Sequence, residues 1–147
     1  MTRCFVDTNV FLRFLTDDLP EQASHVGELL RKAEAGEVTL VTSALVIAEI
    51  VWTLESYYGL PKDAVADKVA AILNTPGLEV EHAALIGEAV VLYAAENVDY
   101  ADAFNACWMR EHGISSVYTF DRRHFARFEG IVPAAPGDPS PAPNRGS

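Results

Sequence analysis

Cysteine is nearly missing from this 147-residue chain: Cys4 and Cys107 are its two, with no CxxC spacing and no cluster of histidines beside them. Metal ligation through sulfur is thereby disfavoured, and both thiols are expected to be free and buried. Long hydrophobic runs are missing too. None exceeds about ten residues, which is too short to cross a bilayer. The opening Met-Thr-Arg-Cys-Phe-Val-Asp has neither the apolar stretch nor the small-residue cleavage site of a signal peptide, so a cytoplasmic location without membrane attachment is expected. Positive charge is scarce, with 11 Lys and Arg against 21 Asp and Glu, a formal charge of −10, and no Lys after Lys68. That balance argues against broad, backbone-driven nucleic-acid binding, which depends on Lys and Arg neutralising phosphates. The four histidines, at 25, 82, 112 and 124, are scattered, and none is assigned a catalytic role.

Half of the residues are hydrophobic, enough for one globular domain with its own core. The run RCFVD reads as a buried strand that passes at once into a helix in which Val10, Phe11, Phe14 and Leu15 share a face. A helix over EQASHVGELLRKAEAG stops at Gly36, and VTLV follows as a second strand. Thr42 or Ser43 is placed to cap ALVIAEIVWTLESYYG, and Pro61 opens PKDAVADKVAAILNT. LEVE is a third strand, AALIGEAVVLYAAEN and YADAFNACWMREHG are two more helices, and SVYTF is a fourth strand. Short Val-rich strands separated by helices predict a three-layer α/β domain with a parallel sheet, in which ligands bind at the carboxyl ends of strands. From Pro133 onward, PAAPGDPSPAPNRGS holds five of the eight prolines and no evident core residue, so residues 1–132 are predicted to fold and 133–147 to form a disordered tail.

Four acids stand in apolar surroundings: Asp7 ending RCFVD, Glu49 inside ALVIAEIVW, Asp102 in YADAFNACW and Asp121 ending VYTFD. Carboxylates are rarely buried without a counter-charge, and no Lys or Arg lies at contact spacing beside Glu49 or Asp102. Burial of Glu49 is expected, since it is the only polar side chain among residues 44–51. Oxygen donors without His or Cys suit Mg²⁺ or Mn²⁺, and such an ion suits hydrolysis of a phosphodiester. Asp99 shares a helical face with Asp102 and is placed either to cap that helix or to join the site. Thr8 reads as a cap for the first helix, while Asn9 reads as a residue orienting Asp7 or a water. Thr119 is placed either to hold the Asp121 loop by its hydroxyl or simply as a β-branched strand residue. Arg122, Arg123 and Arg127 follow Asp121 closely, as a phosphate contact or as an ordinary solvated face. Trp52, Tyr57, Tyr58 and Trp108 read as core or interface aromatics.

Together these stretches resemble the PIN-domain ribonucleases, in particular the VapC-type toxins of bacterial toxin–antitoxin pairs, over roughly residues 3 to 132. VDTNV resembles the family's first acidic motif, SALVIAEIVW the second, DYADAF the third and TFDRRHF the fourth, carried here by Asp7, Glu49, Asp102 and Asp121. The resemblance implies a parallel sheet of four or five strands flanked by helices and a Mg²⁺- or Mn²⁺-dependent endoribonuclease acting on RNA. It also implies a homodimer and a small cognate antitoxin that puts a basic residue into the acidic site. A PIN nuclease of RNA processing outside a toxin–antitoxin pair is the nearest alternative. A Mg²⁺-binding receiver domain ranks below it, because such domains want paired acids at the first strand and a Lys after the last. A haloacid-dehalogenase-like phosphatase would want an Asp where Asn9 stands.

Overall fold

The computed structural model describes residues 2–16 and 18–139. Among the described residues, five strands and seven helices follow one another as β1 (Arg3–Phe5), α1 (Thr8–Thr16), α2 (Pro20–Glu34), β2 (Thr39–Thr42), α3 (Ala44–Ser56), α4 (Lys62–Leu73), β3 (Leu78–Val80), α5 (Ala83–Ala95), α6 (Tyr100–Glu111), β4 (Ser116–Tyr118), α7 (Arg122–Phe125) and β5 (Val132–Ala134). The parallel α/β architecture expected from the sequence holds, but the expected single sheet of four or five strands is corrected to a three-stranded and a two-stranded ladder. One has the order β1-β2-β3, the other joins β4 to β5, and every pairing is parallel. Among the described residues no helix is long and apolar enough to cross a membrane.

The core gathers on one side of each helix. On α3, Ile47, Ile50 and Leu54 are fully buried, and they meet Val65 and Val69 of α4, Ile86, Ala89 and Tyr93 of α5, and Ala103 and Ala106 of α6 in one cluster. Each large aliphatic side chain so buried contributes about 1.5–3 kcal/mol relative to exposure. A polar clasp ties the same helices together. Tyr93 donates its hydroxyl to Glu55, and Lys62 Nζ lies 3.2 Å from Glu55 Oε1, donates to the Val98 carbonyl at 3.1 Å and sits over the Tyr93 ring. Burial first, then the Glu55 carboxylate, pushes the Tyr93 phenol well above its ordinary pKa, so it stays protonated as the donor. Because Val98 lies just before α6, this clasp fixes α6 against α3.

Three local features position the strand ends. The buried Thr42 donates Oγ1 to the Val6 carbonyl at 2.8 Å, which locks the exit of β1 beside the exit of β2. Ser43 caps α3 by accepting from Val46 N at 3.2 Å, as expected. Gly77 has φ +80°, and a Cβ there would lie 2.4 Å from the Ala33 carbonyl oxygen, so only glycine lets the chain enter β3 against α2.

Several expectations are corrected. β1 is an edge strand, and Arg3, Cys4 and Phe5 are all exposed, with Val6 the first residue to enter the core. Cys4 is therefore an exposed thiol, and only Cys107 is buried. The folded part does not end at residue 132. Pro133 and Ala134 belong to β5, Ala134 is only 7% exposed, and its carbonyl accepts from Thr119 N at 2.8 Å. A proline fits there because the strand pairs only with β4, so its missing N–H breaks no second ladder. Residues 140–147 of the expected tail lie outside the described residues.

Candidate functional site

Asp7 leaves β1 and opens α1, where its Oδ1 accepts from Thr8 N at 2.7 Å. Thr8 is not the helix cap expected of it. It is 7% exposed inside α1 and donates Oγ1 to Glu49 Oε2 at 2.8 Å, which links the first acidic turn to α3. Glu49 is exposed, contrary to expectation, because α3 has apolar residues on both faces. Its inward face is Ile47, Ile50 and Leu54, while Leu45 and Trp52, at 68% and 69% exposure, flank Glu49 outside. Trp52 is accordingly not a core aromatic. Asn9, two residues after Asp7, lines a groove of about 350 Å³ with Arg13, Asp18, Thr53, Tyr57 and Tyr58, whose lining includes neither Asp7 nor Glu49.

The second pair comes from α6 and the turn after β4. Asp99 is the cap of α6, accepting from Ala101 N at 3.1 Å and Asp102 N at 3.4 Å, so its capping role is met. Asp102 lies in the first turn of α6, half-buried, while Asp121 is exposed at the start of α7. Thr119 does hold the loop: its Oγ1 accepts from Asp121 N at 2.9 Å. His124, to which the sequence assigned no role, faces both acids. Its Nδ1 contacts Asp121 Oδ2 directly and stands 3.8 Å from Asp102 Oδ2. The one signal available was its place three residues after Asp121, one helical turn on.

The electrostatics fall hardest on Asp102. Desolvation raises its pKa first, the nearby Asp99 and Asp121 carboxylates raise it further, and His124 opposes them. The expectation of burial is thus met only in part at Asp102 and fails at Asp7, Glu49 and Asp121. A cavity of about 750 Å³ between α5 and α6, against Cys107 and Arg110, touches none of the four acids.

The donor set can be tested against a cation. Among the described residues no three His, Cys, Asp or Glu side chains form a ready nest for one ion. Mg²⁺ does not require one, since it retains several waters and binds through one or two carboxylates together with substrate oxygens. The donors are hard oxygens, and the Asp102 carboxylate, its pKa raised first by desolvation, then by the charge of Asp99 and least by that of Asp121, is in the situation a cation relieves. The residues therefore fit the ion.

The PIN-domain family model matches residues 4–131. A VapC ribonuclease of Aquifex aeolicus (strain VF5) is 29% identical over 119 residues, covering 80% of this chain and 87% of that protein. The acid at the end of β1, the parallel α/β frame and the match over nearly all of the described chain agree: the chain belongs to the PIN-domain family.

Proposed function

We propose that this chain is a divalent-metal-dependent endoribonuclease that works in the cytoplasm as the toxin of a toxin–antitoxin pair. The observation that carries the reading is the pairing of acids from distant parts of the chain, Asp7 with Glu49 through Thr8 and Asp102 with Asp121 through His124. Similarity to a protein named VapC ribonuclease supports RNA as the substrate and the toxin role. Asp7, Glu49, Asp102 and Asp121 would be the residues to hold Mg²⁺ or Mn²⁺, with Asp99 and Thr119 supporting α6 and the Asp121 loop and Asn9 lining a neighbouring groove. Such an ion, when bound, supplies positive charge to the phosphodiester oxygens and acidity to the attacking water. Glu49, held through Oε2 by Thr8, keeps a second carboxylate oxygen and would be the residue to take a proton from water. The net charge of −10 supports a basic antitoxin segment as partner, and the exposed Leu45, Trp52 and Tyr57 support self-association as a homodimer.

The test is cleavage of unstructured RNA by the purified protein with Mn²⁺ or Mg²⁺. EDTA should stop it, and Glu49→Gln should lower kcat/KM by about 100-fold, the usual loss of a general base. Expression in bacteria should slow growth, and Asp102→Asn should relieve that slowing while the protein keeps its circular dichroism. Cleavage that persists in excess chelator, or that Asp7→Asn leaves unchanged, overturns the reading.

A further inference from the structure

Phe120 is 90% exposed, the most exposed large hydrophobic side chain among the described residues, and it immediately precedes Asp121. Its backbone is nevertheless held firmly. On one side Thr119 N donates to the Ala134 carbonyl at 2.8 Å, and on the other Asp121 N donates to Thr119 Oγ1 at 2.9 Å. The ring is thus presented to solvent from a fixed turn, with no aromatic partner among the described residues.

Just after it in the chain comes the densest positive charge of an otherwise acidic sequence. Arg122, Arg123 and Arg127 fall within six positions, all exposed. Arg122 is engaged by Asp138 at 3.2 Å, and Arg127 donates to the Asn97 carbonyl at 3.3 Å. Arg123 makes no ion pair among the described residues. A lone ring flanked by Thr119, Asp121 and arginines is too small and too charged for the apolar centre of a protein interface. Its size and setting match one nucleobase, because an exposed aromatic face beside cationic groups is how proteins hold unpaired bases and their phosphates.

We propose that Phe120 and Arg123 form a nucleotide subsite beside the acids, in which the ring stacks on the unpaired base next to the scissile phosphodiester of RNA and the guanidinium meets that nucleotide's phosphate. The subsite rests on the nuclease reading and deepens it: it requires the cleaved bond to lie in single-stranded or looped RNA, since a base inside a duplex has no free face to offer. Stacking is tolerant of base identity, so Phe120 selects for an unpaired base more than for a particular one.

The experiment uses the full chain with Mn²⁺ and an unstructured RNA oligonucleotide whose cleavage position has been mapped. Phe120→Ala should raise KM about ten-fold, the size of loss that removal of one stacked aromatic brings, with kcat changing by less. Phe120→Trp should keep KM near that of the wild type, and Arg123→Gln should raise it. An abasic nucleotide beside the cleaved bond should weaken the wild type as Phe120→Ala does and add nothing further in that variant, as a shared contact requires. Metal-dependent cleavage with unchanged KM in Phe120→Ala, or an abasic effect that adds fully to the substitution, overturns the subsite and leaves the nuclease reading standing. Unchanged KM together with weaker self-association in sedimentation assigns the ring to a protein contact and likewise overturns the subsite. Absence of RNA cleavage by the wild type overturns the reading on which both rest.

Discussion

Asp102 bears the cost of gathering acids into one place. Its carboxylate is partly desolvated at the start of α6, with Asp99 and Asp121 adding negative potential, and His124 offsets only part of this. A folded-state pKa above the unfolded value means that the folded chain holds this proton more tightly than the unfolded chain does. The resulting stability is fully present below pH 3.8 and is lost as pH rises through the raised folded pKa. At neutral pH without metal, Asp102→Asn should therefore melt higher than the wild type, by about 2 °C. The difference should shrink as pH falls through that window, and added Mn²⁺ should stabilise the wild type more than the variant. Thermal scans in EDTA at several pH values check the sign. A variant that melts lower at neutral pH would show Asp102 to be holding the fold together. The acids themselves were legible because each sits in an apolar run, but their surroundings were not. Glu49 looked buried because Leu45 and Trp52 are apolar, yet both point outward with it. Thr8 and His124 escaped because a threonine after an acid usually caps and a lone histidine usually does nothing, whereas contacts across 41 residues and across two helices give each its role.

β5 is the element on which the Asp121 turn depends. Val132 N donates to the Ser115 carbonyl at 2.7 Å and Thr119 N to that of Ala134 at 2.8 Å, so the two ends of β4 are both tied to β5. Beyond the strand, Asp138 accepts from Ala135 N and pairs with Arg122, which extends the support to α7. Deleting residues 140–147 should leave the melting temperature and RNA cleavage within error of the full chain. Deleting 132–147 should lower the melting temperature by several degrees and weaken cleavage more than the stability loss explains, since the loop holding Asp121 loses its ladder. Equal behaviour of the two truncations would remove β5 from the account. The helices were readable from their own residues: Ser43 and Asp99 cap as a sequence suggests, and apolar spacing marks the faces of α1 through α6. β5 was not readable. Its Val-Pro-Ala opens a proline-rich stretch, and what makes it a strand is pairing with β4, a tertiary fact that local propensity does not carry.

At the scale of the whole molecule, a chain with a charge of −10 must hold a polyanion at a few points and repel it elsewhere. The arginines that could meet phosphate are concentrated after Asp121, and two of the three are already engaged, Arg122 by Asp138 and Arg127 by the Asn97 carbonyl. That leaves contact with about one or two phosphates, and for single strands each contributes about −0.7 to the slope of log affinity against log salt. An extended basic track would behave quite differently, losing about three to five orders of magnitude between about 50 and 200 mM salt. For this chain, raising NaCl over that range at saturating Mn²⁺ should raise the KM for single-stranded RNA by less than about ten-fold. Arg123→Gln should flatten the slope further, because one of the few charge contacts is gone. Steady-state cleavage at stepped salt concentrations reads both outcomes. A loss of 100-fold or more over the same range would mean that RNA lies along a positive surface supplied by a second copy or a partner, and that substrate recognition is not confined to the acids and the turn beside them.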